Sequence, residues 1–155
     1  MPETPKEKTD RQLIELLNEL RVALPGGQVL LGFLLTVPFA ARFGRTSQLD
    51  RVVLFVCMIV TAAGIVFLMA PSVYHRIRWN EGGKEDVILV GHHLFLVGTG
   101  CLAFGMVCAV FLLGDVLFGP VAAACSAGLT VVLVVITWYL LPLERGRSQS
   151  IRSQE

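Results

Sequence analysis

His92 and His93 are the side chains best placed to do chemistry, because they are the titratable groups of consequence inside the long apolar stretches of the chain. Adjacent residues on a helix point about 100° apart, so the pair cannot converge on one site. A haem or metal centre would need a histidine from another segment at matching depth, and the other histidine is His75, just beyond an apolar stretch. The expectation is interfacial hydrogen bonding, with no metal and no cofactor. Cys57, Cys101, Cys108 and Cys125 all fall within apolar stretches and have no CxxC spacing, so they read as small packing residues.

Proton-coupled transport usually demands a carboxylate within the membrane. The apolar stretches hold no Asp or Glu; Glu85 and Asp86 sit at a boundary and Asp115 in a loop. Any coupling would therefore run through His92 or His93, or through a carboxylate borrowed from a partner. No nucleophile elbow, phosphate loop or zinc-protease motif occurs, and Gly98-Thr-Gly100 belongs to a packing face rather than a nucleotide site. An enzyme is not expected.

The elements that carry these residues are four apolar runs, about 26–41, 52–70, 87–113 and 121–141. Each approaches the ~20 residues that a helix needs to cross the hydrocarbon core. Apolar residues make up 54% of the 155-residue chain and charged residues 16%, which is too few charges to give four helices a polar face each. The fold class is all-α: an integral membrane four-helix bundle spanning 25–141, preceded by an amphipathic cytoplasmic helix. The lipid bilayer is the principal partner. A net charge of +1 argues against nucleic acid.

Lys6, Lys8, Arg11 and Arg21 precede the first run, Arg76, Arg78 and Lys84 fall between the second and third, and Arg145, Arg147 and Arg152 follow the fourth. Only Arg42, Arg45 and Arg51 lie on the other side. The bias places both termini of a multi-pass cell-membrane protein in the cytoplasm. The first 25 residues lack the apolar stretch of a cleavable signal, so the first run is expected to stay as an anchor.

After a disordered tail, 1–8, residues 9–24 are expected to form a separate helix. Thr9 and Gln12 make a capping box at its start, and Leu13, Leu16, Leu17, Leu20 and Leu24 form an apolar stripe. Its polar face is mixed and locally acidic, which suits docking on the bundle better than lying on anionic lipid. Pro25-Gly26-Gly27 is expected to break the chain direction, Pro38 to end the first crossing and Pro71 the second. The 142–155 tail is polar and expected to be disordered.

Small residues mark the third run. Gly91, Gly98, Cys101, Gly105 and Cys108 recur at steps of seven, three or four and share a helix face, and Ala124 and Gly128 repeat the pattern on the fourth. Helices in lipid associate by close approach through such residues. The faces predict a packing seam and allow a homo-oligomer or a membrane-protein partner. The short link around Gly114–Pro120 makes the third and fourth helices antiparallel neighbours.

The stretch Lys8-Thr-Asp-Arg-Gln-Leu-Ile-Glu-Leu-Leu-Asn-Glu-Leu-Arg-Val-Ala-Leu-Pro-Gly26, then Gln28-Val-Leu and Thr36-Val-Pro-Phe39, resembles a family of small four-helix bacterial membrane proteins with no established function. Ala70-Pro-Ser-Val-Tyr-His-Arg76 and the Gly83–Glu85 turn are similar to it as well. Members often carry the name sodium:proton antiporter, so the resemblance implies cation/proton exchange as an alternative to a structural or accessory role. It brings no catalytic residues. The amphipathic segment is the best-matched part, and a pairing of Glu15 and Glu19 with Arg76 and Arg78 is expected to dock it.

Overall fold

The computed structural model describes residues 5–40, 47–77 and 84–140. Among them the chain is helical throughout: α1 Pro5–Thr36, α2 Gln48–Ile77, α3 Lys84–Phe118 and α4 Pro120–Val135. A 3-10 turn, Val37–Phe39, ends α1, and a π-helical turn, Ile136–Leu140, extends α4. All four helices are long and apolar enough to span a bilayer, over Ile14–Phe39, Gln48–Val73, Val90–Phe118 and Pro120–Trp138. The expected tail 142–155 and linker residues 41–46 and 78–83 lie outside the described residues.

The chain divides into two compact units, Met1–Gly105 and Met106–Glu155. In the first, α1, α2 and the opening two-thirds of α3 share a core of Leu16, Leu20, Ile65, Leu68 and Leu102. Leu16 lies beside Gly91, Leu30 beside Gly105, and Leu102 beside Gly27. The sequence separation is the same in all three pairs, which is the signature of two parallel helices in one register. Between α2 and α3 the numbering runs in opposite senses: Thr61 meets Gly105, Gly64 meets Cys101, and Pro71 meets Gly91. Those helices are antiparallel.

Constant register explains why α1 does not break. The expected change of direction at Pro25-Gly26-Gly27 is absent, and a single helix runs through it from Pro5, ahead of the Thr9 cap expected from sequence. Pro25 lacks an N–H to give the Arg21 carbonyl and crowds the preceding turn. Yet Leu16 and Leu20 before it and Gly27 and Leu34 after it are all buried in the same unit. Contacts on both sides hold the helix to one line. The stripe expected on a separate amphipathic helix is therefore the first half of a membrane-length rod, with Leu16 and Leu20 in the core and Leu17 and Leu24 packed against it. Pro71 likewise fails to stop α2, which continues to Ile77; the proline is buried where α3 offers Gly91.

In the second unit the end of α3 turns into α4 through Gly119 alone. Its φ of 90° lies in the left-handed region open mainly to glycine. Pro120 follows at the first helical position, where a missing N–H does no harm. A Cβ on Gly114 would stand 2.7 Å from Ala123 Cα, so the helices touch backbone to backbone just after the turn. The link expected over Gly114–Pro120 is thus mostly helix.

Candidate functional site

The face of α2 turned into the core is the most informative surface of the molecule. Asp50, Leu54, Cys57, Thr61, Gly64, Leu68 and Pro71 are all buried and follow one another by alternating steps of four and three. That is the spacing of a helix seam in close, nearly aligned packing. Three of its members carry polar atoms, and two of them are the buried polar side chains of the described chain.

Asp50 is 2% exposed. Its place follows from a capping box at the start of α2. Ser47 Oγ accepts the Asp50 N–H at 3.2 Å, while Asp50 Oδ2 accepts the Ser47 N–H at 3.0 Å and the Ser47 hydroxyl at 2.7 Å. The exchange satisfies donors that a helix start leaves orphaned. It also begins α2 four residues earlier than the apolar run at 52–70, and so brings a carboxylate into the membrane-length helix. The expected runs hold no acid, but the longer helical spans take in Glu15, Glu19, Asp50 and Asp115, and of these Asp50 is the buried one. Asp50 Oδ1 is buried and accepts no hydrogen bond.

One and two turns further along the buried face are Leu54 and Cys57, and Cys57 is fully buried. Its thiol donates to the Gly105 carbonyl at 3.2 Å. Thr61, also fully buried, has no hydrogen-bond partner for its hydroxyl. Its Oγ1 occupies the space that a Cβ on Gly105 would fill. The hydroxyl oxygen therefore faces the Gly105 Cα–H, a weak contact typical of helices in close approach.

The small residues of α3 fall into place along this seam. A Cβ on Gly98 would stand 2.8 Å from Leu68 Cγ and 3.0 Å from the Gly64 carbonyl oxygen, and one on Gly64 would stand 2.9 Å from Cys101 Cβ. On Gly91 it would meet Leu16 Cδ2 at 2.8 Å. Gly98 and Gly64 thus let α3 and α2 approach through their backbones, while Gly91 makes room for α1. Cys108 is half-buried in the second unit. On α4, Ala124 and Gly128 are exposed, and a Cβ on Gly128 would meet nothing within 4 Å.

The histidines stand apart from the seam. His92 and His93 are exposed near the start of the third span, their rings edge to face at 6.5 Å and 87°. Glu15 pairs with Arg11 on its own helix at 3.9 Å, and both are well exposed. Glu19 and Arg76 are exposed, and among the described residues no ion pair joins either glutamate to Arg76. Arg78 lies outside the described residues, as does the side chain of His75. Among the described residues no three His, Cys, Asp or Glu side chains come together as metal ligands.

Sequence reasoning missed Asp50, Cys57, Thr61 and Gly64 as a set. The available signals were Ser47-x-x-Asp50, a capping signature, and the four-three rhythm that follows it. No curated protein and no solved structure matches the chain. A family model does match residues 2–142, across all four apolar helices, and the chain belongs to that family of unknown function, DUF6328.

Proposed function

We propose that the protein is a structural or accessory component of the cytoplasmic membrane that works as an assembly of its own copies, with both termini inside. The observation that carries self-association is the open small-residue face of α4, where Ala124 and Gly128 are exposed and no atom lies within 4 Å of a Cβ on Gly128. Lipid tails give apolar helices no reason to leave them, so close approach through small residues is the available source of association. The share of each span's most apolar window that is buried is 6% for α4 and 33% for α2, which leaves α4 with the most surface to offer. The Lys and Arg distribution supports the orientation.

Cys125 is exposed beside Ala124 and gives the test. A variant retaining Cys125 as its one cysteine, oxidised in native membranes, should form a disulfide-linked dimer, and Gly128→Leu should suppress it. A chain that stays monomeric at every protein-to-lipid ratio removes this reading.

Cation/proton exchange is the second reading, and one observation favours it: Asp50 is a buried carboxylate within a span. Proteoliposome flux driven by sodium or pH separates the two readings. Flux lost on Asp50→Asn, or on changing His92 or His93, supports exchange. Absence of flux with a stable co-purifying partner supports the accessory role.

A further inference from the structure

We propose that α1 carries a second contact between copies, in which the Gln28 amides of two chains hydrogen-bond to each other in mid-membrane. Gln28 is exposed, and among the described residues its amide makes no hydrogen bond. Two measures place it deep. The α1 span runs over Ile14–Phe39, and at 1.5 Å per residue Gln28 lies about 21 Å from one end and about 16 Å from the other. Its neighbour Gly27 sits beside Leu102 and Ile65, which are interior to the Val90–Phe118 and Gln48–Val73 spans.

A glutamine side chain reaches only about 5 Å from its Cα, so from that depth it cannot snorkel to a head group. Facing hydrocarbon, the amide would keep two donors and an acceptor unmet. Polar side chains within spans are turned almost always to protein or to a water-filled cavity. The outward side of α1 at this height is therefore a place for another protein segment.

A second copy of this chain is the occupant that fits. Two copies inserted the same way hold Gln28 at one height without further adjustment, which an unrelated protein does not guarantee. An amide is also its own complement, since each can donate to the other's carbonyl oxygen and accept in return. The surrounding residues suit a close parallel pair. Arg21, Pro25, Gln28, Gly32 and Leu35 are all exposed and follow one another by alternating steps of four and three, the rhythm of a helix seam. A Cβ on Gly32, one turn from Gln28, would meet nothing within 4 Å, so two backbones can draw together there. Arg21 lies about 10 Å from the Ile14 end of the span, where its long side chain can turn to the head groups. This contact rests on the self-association reading, but it uses α1 and not the α4 face.

Disulfide trapping of the purified full chain in liposomes tests it. The background keeps the buried Cys57 and carries Cys101→Ala, Cys108→Ala and Cys125→Ala. Leu35→Cys in that background should oxidise to a linked dimer. Phe33→Cys should not: Phe33 is exposed at nearly the same depth, but it points about 160° away from Leu35 around the helix. Gln28→Leu, of similar size, should raise the protein-to-lipid ratio at the dimer midpoint about three- to thirtyfold, the range for a hydrogen bond between helices in lipid. Gln28→Asn, which keeps the amide, should recover part of that loss. An unchanged midpoint in Gln28→Leu overturns the proposal, and so does equal trapping of Leu35→Cys and Phe33→Cys. A Leu35→Cys chain that stays unlinked in these liposomes also overturns it, and assigns Gln28 to a different protein. Trapping through the native Cys125 separates the two faces. Linkage at Cys125 without linkage of Leu35→Cys keeps the α4 contact and removes this one, and the reverse keeps this one alone.

Discussion

Replacing Gly105 with alanine should destabilise the fold, and removing the Thr61 hydroxyl should cancel the effect. The new methyl would collide with Thr61 Oγ1, while Thr61 Cβ would stand at an ordinary 3.5 Å and Leu30 Cδ2 at 3.6 Å. Thr61 is fully buried, so its hydroxyl cannot swing into open space. Overpacking of this kind costs about 1–3 kcal/mol, or roughly a tenfold shift in the folded ratio for each 1.4 kcal/mol. Thr61→Ala alone should be near neutral. It gives up a packed methyl group, worth about 1 kcal/mol, and relieves a buried unsatisfied hydroxyl, whose desolvation costs about 1–3 kcal/mol. In the Thr61→Ala background, Gly105→Ala should then be neutral or stabilising by up to about 1 kcal/mol, through its better helix propensity. The coupling between the two sites is the observable, at about 1–3 kcal/mol. Reversible unfolding in mixed micelles of rising SDS content, followed by helical circular dichroism, measures all four variants. An equal loss from Gly105→Ala in both backgrounds would refute the claim that Thr61 sets the closest approach of α2 and α3.

Three further substitutions probe the backbone. Gly119→Ala forces an L side chain to φ 90° and should cost about 1–3 kcal/mol; unchanged unfolding would mean that the α3–α4 turn accepts another geometry. Ser47→Ala removes the acceptor for the Asp50 N–H and a donor to its carboxylate, for a loss of about 0.5–2 kcal/mol. Faster amide hydrogen exchange confined to the first turn of α2 is the expected readout, and an unchanged first turn would count against the cap. Pro25→Ala returns an N–H to the Arg21 carbonyl in a helix that is already continuous, so stability should hold or rise by up to about 3 kcal/mol. A loss of stability or of membrane insertion would show that the chain needs a break there.

The four spans were legible because bilayer thickness sets a length and apolar residues fill it. Their ends were not, because they depend on contacts made at a distance. Pro25-Gly26-Gly27 has the local chemistry of a break, and it stays helical because Leu16, Leu20, Gly27 and Leu34 are all buried in one unit. Pro71 has the chemistry of a stop and is carried through beside Gly91. Asp50 escaped notice for a different reason. A charge at Arg51 ends an apolar run, whereas a helix starts where its first N–H groups find acceptors, and Ser47 provides one. On α3 the glycine rhythm pointed to close approach, but the residues that fill that space, Thr61, Cys57 and Leu68, become visible only once the antiparallel register is known.

The single-glycine bend before α4 bears on how the chain enters its membrane. Asp115 is the one ionisable side chain among the residues from Gly114 to Pro120. A translocating hairpin must drag its connecting segment through hydrocarbon, and here that freight amounts to one carboxyl group and scarcely any unbonded backbone. The last two helices can therefore partition into lipid as a pair, with no hydrophilic segment between them.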